Sequence, residues 1–458
     1  MELAELKYYC FEALLLQQGW MKPAYVGINQ EGDIKYLSDI APAFSIAIEA
    51  VKGFAVPGFP NAHSHAFQFA MAGLAEKHLP GSSDDFWTWR EAMYECALTM
   101  DPDHMEAVAA MLYSQMVRKG YTHVAEFHYL HHDKKGNSYA NQAEMGERLL
   151  AAAQTAGIRI TIIPVFYQKG GFGEEPRPRQ RRFISRTVDE YLTLLKHSES
   201  AVKNYSLASL GFGVHSLRAV SPADVKRTFE LGPRELPFHL HAAEQLQEVR
   251  DAEGFLKQRP VSWLLDNLPL NSRFHLVHCT HLNDDEVRRL AQSEANVVLC
   301  PGTEANLGDG IFRLVDFADY YGNWCIGTDS HISLDPLEDL RWLDYAQRLT
   351  SHKRNTFDDA ATIQLNKCIP CGRKAMGLPS GNFFEIDKPL DAVVYNADEP
   401  LLIQAGVENL LPALVYTSAA SAVLGTLIAG KWVYRNGESL NGNAIRLRFK
   451  EAITELNR

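Results

Sequence analysis

Cysteine is scarce in this chain, basic residues are outnumbered, and no long apolar run occurs. Each shortage removes a class of function. Seven cysteines over 458 residues, from Cys10 to Cys371, are too few and too scattered for the disulfide framework of a small secreted protein. Cys368 and Cys371 form a C-x-x-C, but no second pair accompanies them and LNKCIPCGRKAMG reads as helix or helix end, so a structural role is favoured. Lys and Arg number 45 against 56 Asp and Glu, a formal net charge of -11, which argues against a nucleic-acid or anionic-membrane partner. An anionic substrate would have to be held by a few local arginines against that field. No segment reaches the roughly 20 apolar residues of a membrane span. The opening MELAELKYYCFEALLLQQGW lacks the basic start, apolar core and small-residue cleavage site of a signal peptide, so a cytoplasmic protein is expected. Internal repeats, low-complexity tracts and long linkers are missing too.

What remains is a globular composition, 46% hydrophobic, with alternating periodicities. Eight short apolar or β-branched runs read as strands: GFAVPG (53–58), THVAEFH (122–128), RITIIPVFY (159–167), LGFGVHS (210–216), PFHLHAA (237–243), RFHLVHCT (273–280), ANVVLCP (295–301) and NWCIGTDS (323–330). Amphipathic stretches such as HMEAVAAMLYSQMVRKG and QAEMGERLLAAAQTAG separate most of them, several closed by glycine. Eight strands alternating with helices predict an α/β fold, a (β/α)8 TIM-like barrel with its site at the strands' C-terminal ends. The ends of the chain differ. AYVGINQEGDIKYL reads as a hairpin turning at Glu31-Gly32, and LDAVVYN and LIAGKWVYRNGES as short strands with Gly-Lys and Asn-Gly turns. The expected division is residues 1–55 and 385–458, the latter with a terminal helix, in a small β domain, and residues 56–384 in the barrel. The basic stretch EEPRPRQRRF (174–183) reads as a solvated loop unless it covers the site.

Chemistry-bearing residues gather at the strand ends. In an extended segment, side chains at i and i+2 share a side, so His63 and His65 of NAHSH can converge, although H-x-H alone equally suits histidines near a turn. HLHAAE adds His239, His241 and Glu244, LVHCTH adds His278 and His281, and IGTDSH adds Asp329. In a barrel these would face one mouth. Imidazoles plus a carboxylate suit zinc, which lowers the pKa of a bound water from about 15.7 to about 7. Glu244 could move protons beside such a water, or serve as a helix-entry acid, since QLQEVRDAEGFLK after it looks helical. Arg90 in DFWTWRE and Arg218 in VHSLRA could grip carboxylates, or form surface salt bridges or lie on the faces of Trp87 and Trp89. Gln68 and Tyr129 could contact substrate or support residues that do.

These blocks resemble the amidohydrolase superfamily, and within it the formimidoylglutamate deiminases. The resemblance runs over NAHSHAFQFAMAGLAE, FWTWREAMY, GYTHVAEFHYLHHD, FGVHSLRAVSP, HLHAAEQLQEV, LVHCTHLNDDEV, TEANLGDGIF and IGTDSHISL. It implies a distorted (β/α)8 barrel with a small β-sandwich domain built from both chain ends, and one zinc ion per chain, with iron or another divalent metal as the alternative. The ligands it implies are His63, His65, His241 and Asp329. Glu244, His278 and Asp329 become the catalytic groups, and Gln68, Arg90, Tyr129, His215 and Arg218 the contacts to a small dianionic substrate. The implied reaction is hydrolysis of N-formimino-L-glutamate to N-formyl-L-glutamate and ammonia, in histidine degradation, by a homodimer. FGVHS offers no lysine to bridge two metals, hence one ion. NFFEIDKPLDAVVYN departs from the family pattern, which leaves the small domain less defined. A deaminase of a flat heterocycle such as guanine would share the metal set but not the need for two arginines. A silent barrel with a binding role would have no reason to keep the full set.

Overall fold

The computed structural model describes residues 5–43, 46–74, 76 and 86–457, with side chains described from residue 89 in the last stretch. Among the described residues, eight parallel strands follow one another around a barrel: Phe59–Ser64, Tyr121–His128, Arg159–Phe166, Phe212–Ser216, Phe238–Ala242, Phe274–His278, Asn296–Leu299 and Asn323–Ile326. Every residue in most of these strands is buried, as expected of parallel strands covered by helices outside and side chains inside. A parallel bridge between Ser64 and Asp329 joins the first strand to the end of the eighth. Gly327 permits this closure, because a Cβ there would stand 2.6 Å from the His63 Cβ.

The first barrel strand is not the one expected. GFAVPG ends the strand Ile48–Pro57, which belongs to the other sheet, and FPNAHS enters the barrel instead. An apolar run fits either sheet. What decides is the partner, since Ala392–Asn396 pairs antiparallel with this strand from Pro57↔Ala392 to Gly53↔Asn396. The chain then turns at Gly58, where a Cβ would meet the Thr122 side chain at 2.1 Å. Other expected strands begin and end within a few residues of those observed, but several stop early at their C-terminal ends. Ala243, His278, Cys279 and Asp329 have positive φ of 51°, 71°, 51° and 49°, which breaks the ladder where the functional side chains stand.

The two ends of the chain make a second, nine-stranded sheet, ordered Glu438–Ser439, Lys431–Arg435, Val423–Ile428, Ala392–Asn396, Ile48–Pro57, Lys7–Leu16, Ala24–Ile28 and Ile34–Ser38, with Gly19–Met21 on Lys7–Leu16. The hairpin at Glu31-Gly32 forms, with Gly32 at φ 88°. The later turns centre on Ala429-Gly430, one residue before the expected Gly-Lys, and on Asn436-Gly437, both with positive φ as a tight hairpin requires. The helix Ala360–Ala375 packs under the barrel's strand starts, its Gly372 against Pro60. Cys368 and Cys371 lie buried on that helix as free thiols, burial raising the pKa of both, which fits a packing role.

Asp391 joins sheet to barrel. Its carboxylate accepts from Arg159 Nε at 2.8 Å and the Ala429 amide at 2.6 Å, and His123 Nε2 lies 3.5 Å away. Burial opposes the charge, yet Arg159 and His123 beside it and the hydrogen bonds hold its pKa below the ordinary aspartate value. The stability this provides is present above the ordinary carboxylate range and is lost as pH falls through the depressed value. Asp391→Asn is expected to lower unfolding free energy at pH 7 by about 3 kcal/mol, because Arg159 loses its buried counterion, and by less near pH 3. Denaturant titrations at both pH values measure this, and equal losses would contradict the electrostatic account.

Candidate metal centre and cavity

At the end of the first barrel strand, the Nε2 atoms of His63 and His65 lie 3.1 Å apart, and His241 Nε2 from the fifth strand lies 3.1 Å from His63 Nε2. Asp329 Oδ1 stands 3.1 Å from His65 Nε2 and 3.6 Å from His63 Nε2. All four side chains are buried. His65 Nδ1 faces the Phe127 carbonyl at 2.9 Å and His241 Nδ1 the His215 carbonyl at 3.0 Å. Each ring must donate there, which leaves its Nε2 lone pair directed at the cluster. A proton on His63 Nε2 could satisfy only one of these neighbours, whereas a cation satisfies them together. Tetrahedral ligands about 2.0–2.1 Å from zinc stand roughly 3.4 Å from one another, close to the separations found. Burial, followed by neighbouring histidines, pushes the His63 and His241 pKa values well down, so both rings are neutral as ligands must be. The residues fit a divalent metal.

A second group, His278, Cys300 and Asp329, also brings its donor atoms within 4.8 Å of one another. It suits a metal less well. Burial and nearby carboxylates push the Cys300 thiol well up, and Glu304 Oε1 engages His278 Nδ1 at 3.2 Å.

Beside the cluster, His278 Nε2 lies 3.8 Å from both Glu244 Oε1 and Asp329 Oδ2. Burial raises the Glu244 pKa, partly opposed by His278 and Arg218. Burial would lower that of His278, but Glu244, Glu304 and Asp329 together outweigh it and raise the value to about 10. The two groups therefore compete for a proton at one buried position. Burial also opposes ionisation of Asp329, yet the His65 hydrogen bond and the surrounding imidazoles keep it ionised.

These groups open into a cavity of about 410 Å³, lined by His65, His241, Glu244, His278 and Asp329, with His63 buried beneath. Gln68, Arg90, Tyr129, His215 and Arg218, the five expected substrate contacts, line the same cavity. Gln68 Nε2 donates to the Tyr129 hydroxyl at 3.0 Å, and Gln68 Oε1 is buried with no hydrogen bond among the described residues. Burial lowers the His215 pKa well below its ordinary value, and its ring stands 4.6 Å from that of Tyr167. Arg90 lies over the Tyr94 ring at 5.7 Å, while the Trp87 side chain falls outside the described residues. Arg218 is no surface cation. It donates to Glu244 Oε2 at 3.1 Å and approaches Glu248 Oε1 at 3.6 Å.

Two histidines named from the sequence stand elsewhere. His239 shares the inner face of its strand with His241 but lies one layer lower, its Nε2 on the Ala375 carbonyl at 2.7 Å. His281 does not line the cavity. The loop EEPRPRQRRF is not merely solvated. Its Glu174 and Arg177 line the cavity, and Arg182 is buried against the carbonyls of Ala97, Met100 and His132. Sequence reasoning missed the buried carboxylates around the site. Glu126 accepts from Ser64 Oγ and the Ala66 amide, both at 2.6 Å, and so splints the H-x-H strand end. Glu304 holds His278, and Glu248 takes the Glu244 amide at 2.9 Å. Their sequence signal was slight: Glu126 is the one acid in the strand Tyr121–His128, and Glu248 and Glu304 lie on helices just after strand ends.

Residues 54–433 match the amidohydrolase family. The chain belongs to that family. It is 40% identical, over 97% of its length and 98% of the relative's, to a formimidoylglutamate deiminase of Pseudomonas aeruginosa. An amidohydrolase from Brucella melitensis superposes with a TM-score of 0.91 at 35% identity, covering 99% of this chain and all of the other. An adenosine deaminase from Xanthomonas campestris, solved with bound zinc, superposes at 0.82 with 21% identity over 98% of each chain, a likeness of fold. Amidohydrolases generally work with a divalent metal, and this chain's His-rich cluster gives one a place.

His241→Asn is expected to weaken metal retention by more than the roughly 10–100-fold that loss of an outer partner costs. His239→Asn, one layer lower, should leave metal content unchanged. Elemental analysis after dialysis against a weak chelator measures both, and equal retention in the two variants would remove His241 from the ligand set.

Proposed function

We propose that the protein hydrolyses N-formimino-L-glutamate to N-formyl-L-glutamate and ammonia, with zinc held by His63, His65, His241 and Asp329. The observation that carries this reading is one cavity that joins a three-histidine, one-aspartate cluster to the Glu244–His278 pair and to two arginines. The similarity to the Pseudomonas aeruginosa formimidoylglutamate deiminase along nearly the whole chain supports it. Water adds across the C=N bond of the amidine and ammonia leaves, so that HN=CH–NHR and H2O become O=CH–NHR and NH3. A divalent metal at the cluster supplies Lewis acidity and a water of lowered pKa.

The chain's own groups supply the rest. Asp329, kept ionised by its imidazole neighbours, accepts the proton of the attacking water. Glu244, its pKa raised by burial, delivers a proton to the departing nitrogen. His278, oriented by Glu304, donates from Nε2 towards charge developing at the reacting carbon's oxygen. Arg90 and Arg218 complement the two carboxylates of the substrate, which a chain of net charge -11 would otherwise repel. Gln68, Tyr129 and His215 supply neutral polar contacts. A flat neutral base such as guanine has no use for those arginines.

Ammonia release from N-formimino-L-glutamate, set beside N-formimino-L-aspartate and guanine, is the direct assay. The glutamate derivative should give the highest kcat/KM, and no release from zinc-loaded protein would reject the reading. Glu244→Gln should keep its metal and lose about 10²–10⁴ in kcat. Arg90→Met should raise KM by roughly tenfold or more, the worth of a hydrogen bond between charged groups. One zinc per chain and a homodimer complete the reading, and metal analysis with light scattering measures both.

A further inference from the structure

Arg218 occupies an unexpected position for an arginine that is to bind a substrate carboxylate. It is 11% exposed and already holds Glu244, Nη2 to Oε2 at 3.1 Å. That oxygen belongs to the carboxyl group that must be free to move a proton. With Glu244 on Nη2 and Glu248 facing Nε, a second carboxylate that takes the Nη1–Nη2 edge of Arg218 in a bidentate grip competes with Glu244 for Nη2. On the other side stands Glu248, whose side chain is fully buried, 3.6 Å from Arg218 Nε through Oε1 and holding the Glu244 amide at 2.9 Å through Oε2. Glu248 lies in the first turn of the helix Leu246–Leu256, an ordinary place for an acid, but such acids are normally solvated. Here the carboxylate ties the backbone of Glu244 and the side chain of Arg218 to one point.

We propose that Arg218 is a latch. In the free enzyme it restrains the Glu244 carboxyl. An incoming substrate carboxylate displaces Glu244 from Arg218, and Glu248, a positioning residue, keeps the guanidinium in place during the exchange. Substrate recognition and release of the proton-transfer group are then one event. An amidine without the matching carboxylate can enter the cavity but leaves Glu244 restrained. This rests on the deiminase reading above.

The test begins with wild-type turnover of N-formimino-L-glutamate, whose absence would sink that reading rather than this one. Two analogues follow, N-formimino-4-aminobutyrate, which lacks the α-carboxylate, and N-formimino-L-norvaline, which lacks the side-chain carboxylate. A latch lowers kcat at saturation at least tenfold for the one whose missing group meets Arg218, beyond any rise in KM. If both analogues change KM alone, the latch is wrong, whichever carboxylate Arg218 meets. Arg218→Met should then raise kcat for the affected analogue above the wild-type value, while lowering kcat/KM for N-formimino-L-glutamate. A fall in kcat for that analogue in folded Arg218→Met protein would also overturn the proposal. Glu248→Gln keeps an acceptor for the Glu244 amide but removes the anchoring charge. It should lower kcat at least tenfold and raise KM, with metal content unchanged, and the effect should largely vanish in the Arg218→Met background. Unaltered kinetics with only a lower melting temperature would leave Glu248 a plain helix-entry acid and remove it from the latch.

Discussion

The closing seam of the barrel is the constraint on which the site depends. The amides of Thr328 and Asp329 both donate to the His63 carbonyl at 3.0 Å, and the His65 amide donates to the Asp329 carbonyl at 3.3 Å. The seam is therefore built from the backbone of three of the four residues that can hold a metal. Barrel closure and assembly of the donor set are one event, and any side chain at position 327 would push His63 away from Asp329. A shift of even half an ångström matters at such a cluster, because metal bonds tolerate only a few tenths.

Around the seam the protein holds its loops with buried carboxylates as well as with apolar packing such as that of Phe127 on His63, His65 and His241. Glu126 grips the Ser64 hydroxyl and the Ala66 amide, Glu304 the Cys300 amide and His278, and Glu248 the Glu244 amide. Each sits just beyond or beside a strand end, where the ladder stops and backbone donors would go unpaired. A buried carboxylate that receives amides and a cation offsets its desolvation, while the same group left alone would cost several kcal/mol. The arrangement keeps polar side chains at fixed angles where the strand ends bend through positive φ at Ala243, His278, Cys279 and Asp329. It also places Glu244 and Glu248 beside the guanidinium of Arg218 at the cavity wall.

The sequence made the barrel legible because its strands are continuous apolar runs separated by helical periodicity, a signal local to each segment. It failed at GFAVPG for the same reason: an apolar run states that it will be buried, not which sheet will bury it, and the pairing with Ala392–Asn396 is set more than 300 residues away. A pool of candidate donors could be read because His63 and His65 declare a shared face by spacing and because His241, His278 and Asp329 recur at strand ends, while the choice of four among them came from the family resemblance. His239 obeyed the same spacing rule and still lies a layer too low, since period two gives the face and not the depth. The carboxylates at 126, 248 and 304 left little trace. Each takes a backbone amide, which nearly every residue carries, and a side chain from an element 26 or more residues away, so no local pattern marks them in advance.

Charge balance links these features to specificity. The cavity wall carries Arg218 paired with Glu244 and Arg177 paired with Glu174, so these two cations already hold acidic partners. On the proposed reading such a site does not attract anions by net charge; Arg218 accepts a carboxylate by giving up the internal one it holds. Exchange keeps the guanidinium paired throughout, and the displaced Glu244 carboxyl avoids standing as a bare buried charge by holding a proton, which its burial favours. On the same reading, one substrate carboxylate would displace Glu244 from Arg218 while the other meets Arg90, and a singly charged relative would do only one of these. Under that proposal, selectivity for length and charge would follow from the Arg218–Glu244 pair together with Arg90, and the net charge of -11 would be a background against which only the matched substrate gains.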